Sequence, residues 1–185
     1  MVSIMSLWIP ILLSAVLVFF ASWIIHMLLP YHKSDFKQAP AEDDLMEAGR
    51  KAGIQPGDYM IPRPANMQQM KDPAFQEKWK RGPVMILTVT NPSMSMGSQL
   101  LQWFVYLVIV GIMSAYITSR ALPQGAPYLS VFRFAGATAF ASYALALVQD
   151  SIWYRKSWAT TWKNLFDGLV YGCLTAGVFG WLWPR

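Results

Sequence analysis

Four strongly apolar stretches, none containing a lysine, arginine, aspartate or glutamate, divide this 185-residue chain. They cover residues 7–29, 100–119, 134–149 and 168–183. A membrane-spanning helix needs roughly 20 mainly apolar residues, and the hydropathy pattern predicts that all four stretches cross a bilayer. We therefore expect an all-α integral membrane protein with four transmembrane helices. The composition agrees, because 55% of the residues are hydrophobic and only 14% are charged.

The predicted organisation is one helix, an insertion and three further helices. Residues 1–30 hold the first transmembrane helix, 31–97 form a polar insertion, and 98–185 hold transmembrane helices 2–4. The first stretch lacks a basic leading segment and a small-residue cleavage pattern. We therefore expect it to be a transmembrane helix and not a cleaved signal peptide.

The insertion is predicted to be a small α+β element. Residues 41–52 are predicted to form a helix, because three acids lie in the first turn and two bases in the last, which matches the helix dipole. Gly53 follows as a stop signal. A second helix is predicted over residues 67–81, interrupted near Pro73. The segments 59–61 and 84–90 favour paired strands.

The distribution of basic residues predicts the topology. Four spans place the insertion and the 150–163 connection on one side, opposite the termini and the 120–133 turn. The first side carries Lys33, Lys37, Arg50, Lys51, Arg63, Lys71, Lys78, Lys80, Arg81, Arg155, Lys156 and Lys163, and the second carries Arg120, Arg133 and Arg185. In a bacterial inner membrane this bias places the insertion in the cytoplasm and both termini in the periplasm.

The charge pattern does not favour nucleic-acid binding. The net charge is +5, but the basic residues are scattered among acids outside the apolar stretches. Cys173 is the only cysteine and lies within the last stretch, so no disulfide framework or cysteine metal motif is expected.

Ionisable residues at membrane depth are the usual functional candidates. In the predicted topology His26, Asp150 and Asp167 lie near the cytoplasmic boundary, where they could form a polar cluster that passes protons or binds a metal. Ordinary pairing is simpler, since Asp150 can pair with Arg155 or Lys156. No metal and no cofactor are therefore predicted, although His26 stays a weak candidate ligand for a haem or pigment.

Four other residues are candidates for contact with lipid or a partner. Arg133 lies about two turns inside the third predicted helix. Its guanidinium is expected either to extend to the headgroup region or to bind an anion, such as a lipid phosphate or a carboxylate of a partner. Gly168 and Gly172 form a GxxxG pattern suited to close helix packing, with the third helix or with another protein. Trp79 lies on a basic amphipathic segment suited to the headgroup level.

No phosphate-binding loop, HExxH or GxSxG motif occurs, so no catalytic residue is predicted. The expected function is that of a non-catalytic accessory or scaffold subunit in a larger membrane complex. Its partners would be the lipid bilayer and other membrane subunits, or copies of itself. The alternatives are a small oligomeric transporter or channel, and a cofactor-binding subunit that uses His26.

Several segments carry a resemblance that runs nearly end to end. They are Ser6–Pro10, His26–Asp35, Val131–Gly136, Phe166–Gly172 and Trp181–Arg185. In these segments the chain resembles a family of small four-helix bacterial inner-membrane proteins. The resemblance implies bacterial origin and inner-membrane placement, and it implies no activity and no catalytic residues.

Overall fold

The computed structural model describes residues 2–93 and 95–185, and most of them are helical. A 3-10 turn, Ile4–Leu7, precedes the first α-helix. In chain order the α-helices and strands are α1 Trp8–Trp23, α2 Glu42–Lys51, β1 Gly57–Ile61, α3 Pro73–Arg81, β2 Met85–Val89, α4 Met96–Ala121, α5 Tyr128–Tyr143, α6 Val148–Trp153 and α7 Trp158–Trp181. They form two compact units, a helical unit of residues 2–37 and 95–185 and an insertion unit of residues 38–93.

The helical unit contains three helical segments that are long and apolar enough to cross a membrane. They are Ile4–Leu28, Met96–Ala121 and Tyr128–Trp153. Large apolar side chains are exposed along them, among them Phe20, Ile109 and Phe134, as expected where lipid replaces water. The sequence therefore predicted these three elements correctly, and the chain has the character of a membrane protein.

Local signals fix where these segments begin. Ser95 caps α4, because its side chain accepts a hydrogen bond from the backbone N–H of Ser98 at 3.3 Å. Pro127 immediately precedes α5. After Trp23 the first helix continues as one π-helical turn, Ile24–Leu28.

The helix α7 corresponds to the fourth predicted transmembrane helix. It is 24 residues long and begins ten residues before the apolar stretch at residues 168–183. The structure does not place it among the helices apolar enough to span a membrane. Lys163, Asn164 and Asp167 lie in its first half and lower its mean hydropathy.

The helices α5 and α7 pack antiparallel through small residues. A Cβ on Gly136 would lie 2.8 Å from the Cβ of Ala176, and one on Gly168 would lie 2.5 Å from that of Ala144. Residue numbers rise along one helix as they fall along the other, so the two run in opposite directions. This is the close in-chain packing expected from the glycine pattern.

The third apolar stretch is not one continuous helix. α5 ends at Tyr143, a 3-10 turn follows over Leu145–Leu147, and α6 begins at Val148. Ala144 lies at the break, with φ −129° and ψ −45°. Its Cβ lies against Gly168 of α7.

Two buried clusters form the core of the helical unit. The first joins Val2, Leu7, Ile11, Ala115, Val131, Ala135, Phe179 and Trp183. The second joins Ala15, Val18, Ile25, Leu107, Val110, Ala139, Tyr143 and Tyr171. Because α1, α4, α5 and α7 all contribute, these four helices form one packed bundle.

The insertion unit has the predicted α+β character. β1 pairs with β2 in antiparallel register, with Tyr59 opposite Leu87. α2 ends before Gly53, whose φ of +66° suits glycine. Asp72 caps α3 by accepting a hydrogen bond from the N–H of Ala74 at 3.0 Å, so the interruption expected near Pro73 is a helix start. Among residues 38–93, Pro62 alone is buried.

Candidate functional site

A polar cluster forms where the first helix ends. The π-helical turn Ile24–Leu28 carries His26, and a 3-10 turn, Pro30–Ser34, carries Tyr31 and His32. Asp35 follows directly. From α7, Lys163 and Asp167 face this segment, one helical turn apart. The cluster therefore joins residues separated by more than 120 positions in the chain.

The imidazole of His32 lies between two carboxylates. Its Nδ1 is 2.6 Å from Oδ2 of Asp35, and its Nε2 is 2.8 Å from Oδ2 of Asp167. The side chains of His32, Asp35 and Asp167 are only 12%, 10% and 4% exposed. Both ring nitrogens are thus held by acceptors in a largely buried setting.

Lys163 neutralises Asp35. Its Nζ donates to Oδ1 of Asp35 at 2.7 Å, to the backbone carbonyl of Tyr31 at 2.5 Å and to Oγ of Ser34 at 2.8 Å. Burial alone would raise the pKa of Asp35, but hydrogen bonds from Lys163 and His32 lower it below its usual value. Asp35 is therefore ionised at neutral pH and fixes the orientation of His32.

Tyr31 holds the other carboxylate. Its hydroxyl donates to Oδ1 of Asp167. Burial, and then this hydrogen bond with the charge of Asp167, raise the pKa of Tyr31 well above its usual value. The phenol therefore stays protonated and occupies Oδ1 of Asp167, while Oδ2 faces His32.

His26 adds a second imidazole. Its ring centroid lies 4.4 Å from that of His32, and one ligand atom each from His26, His32 and Asp167 lie within 4.8 Å of one another. His26 is exposed and, with His32 and Asp35, lines a cavity of about 490 Å³. The group is thus accessible from one side.

Nε2 of His32 and Oδ2 of Asp167 can together bind a cation. The two atoms lie 2.8 Å apart. A ring nitrogen without a hydrogen offers a lone pair, as a carboxylate oxygen does. Two such atoms can therefore act as ligands of one metal ion.

The structure brings together two of the three residues of the predicted polar cluster. His26 and Asp167 come together, with His32 as the third member. Asp150 lines the same cavity but pairs with Lys156, whose Nζ lies 2.7 Å from its Oδ2. That ion pair was one of the pairings anticipated from the sequence.

The other candidates lie elsewhere. Arg133 is exposed on α5 and has no ion pair within residues 2–93 and 95–185. Gly168 and Gly172 are buried against α5, where a Cβ on Gly172 would lie 3.2 Å from that of Phe140. Trp79 is half-buried on α3, with its ring centroid 6.1 Å from that of Phe75.

The sequence did not identify Tyr31, His32, Asp35 and Lys163 as site residues. A local signal existed, since the two histidines of the chain and Asp35 occur within ten residues. The contacts with α7, however, have no signature in the sequence.

Comparison of the chain with models of protein families, with curated proteins and with solved structures gives no match. The family resemblance stated from the sequence therefore stays an expectation.

Proposed function

We propose that the protein is a four-span membrane subunit whose insertion binds a neighbouring protein, so that it acts as an accessory or scaffold component of a membrane complex. The observation that carries this proposal is the insertion's lack of an apolar core. In residues 38–93 the large apolar side chains stay at least partly exposed to solvent. A unit of this kind gains stability by binding another surface.

The two-stranded sheet is the clearest instance. Met85, Ile86 and Leu87 on β2 are 39%, 43% and 36% exposed, so both faces of the strand present apolar side chains. A lone two-stranded sheet is marginally stable in water, and it needs further strands or a packed partner. Another copy or another subunit that covers these residues would provide the missing contacts.

Site-specific photo-crosslinking tests this proposal. A photoreactive amino acid at Ile86 should give a discrete adduct with a second polypeptide, whereas the same group at exposed Glu47 on α2 should not. Purification in mild detergent should then yield a stoichiometric complex or a homo-oligomer. A monodisperse monomer without Ile86 adducts would contradict the proposal.

We further propose that α7 crosses the membrane, which gives four spans. The ends of α7 support this, because they lie beside opposite ends of the bundle. Near its end, Trp183 donates to the carbonyl of Pro123 at 3.0 Å, and the N–H of Gly125 donates to the carbonyl of Pro184 at 2.9 Å. Near its start, Lys163 contacts the segment that follows the first span.

With four spans, the excess of lysine and arginine on one side supports a bacterial inner-membrane protein with a cytoplasmic insertion and periplasmic termini. Cysteine labelling in a Cys173→Ser background tests this topology. A membrane-impermeant maleimide should label Gln124→Cys in cells with a permeabilised outer membrane. It should label Glu77→Cys only after the inner membrane is also opened. The same accessibility at both positions would mean that the proposed topology is wrong.

A further inference from the structure

We propose that His26, His32 and Asp167 form a binding site for a divalent transition-metal ion such as Zn²⁺. The site would use Nε2 of His32, Oδ2 of Asp167 and an imidazole nitrogen of His26. The three residues already converge, since one possible ligand atom from each lies within 4.8 Å of the other two. Two ligands of a tetrahedral ion, each about 2.1 Å from it, lie about 3.4 Å apart. Nε2 of His32 and Oδ2 of Asp167 are 2.8 Å apart, so a small outward movement would admit the ion.

The groups behind these ligands strengthen the proposal. Metal-binding histidines almost always donate their other ring N–H to a carboxylate or carbonyl, which fixes the tautomer and the ring orientation. Nδ1 of His32 lies 2.6 Å from Oδ2 of Asp35. In the tautomer that carries its hydrogen on Nδ1, Asp35 accepts that hydrogen and Nε2 directs its lone pair towards Asp167. Tyr31 likewise occupies Oδ1 of Asp167 and leaves Oδ2 on the side of His32.

Lys163 completes this supporting arrangement. Its Nζ donates to Asp35 at 2.7 Å and thereby balances the charge of the carboxylate that orients His32. Asp167 is then the carboxylate that faces the ion. The local charge is suited to a dication, because the two acids and Lys163 together carry one net negative charge.

The third ligand and the cavity indicate the class of metal. His26 belongs to the π-helical turn, a local widening often found at functional sites, and it lies at the wall of the cavity. Three protein ligands beside an accessible cavity leave a coordination position for water or another ligand. Two imidazoles and one carboxylate suit Zn²⁺ and similar ions, whereas Mg²⁺ and Ca²⁺ prefer oxygen ligands.

Metal titration of the full chain in detergent tests the site. The protein is purified with a tag that lacks histidine, stripped with a chelator and titrated with Zn²⁺ by calorimetry. Co²⁺ serves as a spectroscopic probe because its visible absorption reports the ligands. We expect one Zn²⁺ per chain. The two histidines of the chain both belong to the site, so spectral changes from imidazole coordination are unambiguous.

Three variants decide the assignment. His26→Gln changes an exposed side chain, should keep the fold, and should weaken Zn²⁺ binding at least tenfold. Asp35→Asn should keep the stoichiometry but weaken binding roughly 10- to 100-fold, because Asp35 acts through the orientation of His32. Asp150→Asn is the control, since Asp150 lines the cavity but pairs with Lys156, and it should bind Zn²⁺ as the parent does.

Two results would overturn the proposal. One is the absence of stoichiometric Zn²⁺ binding by the folded parent protein. The other is Zn²⁺ binding that His26→Gln leaves unchanged while its melting temperature matches that of the parent. Either result leaves the proposed subunit role untouched, because that role depends on the insertion.

Discussion

The contact between Gly168 and Ala144 allows a quantitative test of the bundle. A Cβ placed on Gly168 would lie 2.5 Å from the Cβ of Ala144, whereas ordinary contacts of this kind measure 3.4–4 Å. Gly168→Ala therefore forces α5 and α7 apart locally by about 1 Å, and overpacking of this kind costs about 1–3 kcal/mol. The gain in helix propensity from glycine to alanine is at most about 1 kcal/mol. A Cβ contact of 2.5 Å is closer than real Cβ atoms approach, so the overpacking cost lies in the upper part of this range, about 2–3 kcal/mol, and the expected net loss is about 1–2 kcal/mol.

Thermal unfolding in mild detergent, followed by tryptophan fluorescence, measures this loss. For a chain of this size it corresponds to a fall in melting temperature of about 2–8 °C. Gly97→Ala is the matched control, because a Cβ on Gly97 has nothing within 4 Å. Its melting temperature should stay the same or rise slightly.

Removing the opposing methyl group should rescue the variant. With Ala144→Gly added, the next neighbours of the new Cβ are the former Ala144 Cα at 3.4 Å and Tyr143 Cβ at 3.5 Å, both ordinary contacts. The double variant should therefore melt near the Ala144→Gly single variant. If Gly168→Ala is harmless, or if Ala144→Gly gives no rescue, then Gly168 does not pack on α5 as described.

Two further pairs of substitutions test the polar groups. Lys163→Met should lower the free energy of unfolding by about 2–3 kcal/mol, because it leaves the carboxylate of Asp35 buried without its cation. Lys156→Met removes the far more exposed ion pair with Asp150 and should lower the free energy of unfolding by at most about 1 kcal/mol. Equal losses for the two lysine variants in chemical denaturation would contradict the described burial of Asp35. Tyr171→Phe should raise the melting temperature slightly, since the buried hydroxyl has no hydrogen-bond partner within the described part of the chain. Tyr106→Phe should lower it, because that hydroxyl donates to the carbonyl of Ser142 at 2.6 Å, and a shift of both variants in one direction would refute this distinction.

The features that the sequence predicted well depend on neighbours in the chain. Gly53 adopts the positive φ that ends α2, and three of the apolar stretches form long helices. Each depends on side chains within a few residues, where spacing alone determines which groups meet. Short-range patterns therefore described the three apolar spans and the insertion.

Other features depend on contacts that spacing does not reveal. The apolar pattern predicted only the part of α7 that suits lipid. The polar first turns of this helix, which begin at Trp158, were therefore left out of the prediction. The break after Tyr143 lies in an uninterrupted apolar run, where Ala144 packs on a glycine of α7. His32 and Asp167 are 135 residues apart, and only the packing of α1 on α7 brings them together.

The π-helical turn makes the position of His26 depend on residue count as well as on residue type. Its defining bond runs from the N–H of Leu29 to the carbonyl of Ile24, five residues back, at 3.2 Å. Deleting one residue within this turn would restore ordinary helical spacing and rotate the preceding helix by about 100° relative to the segment that follows. Both histidines would then still be present in the polypeptide, yet their side chains would point in different directions. A one-residue deletion that keeps both histidines would thus separate their rings as effectively as replacing one of the two imidazoles.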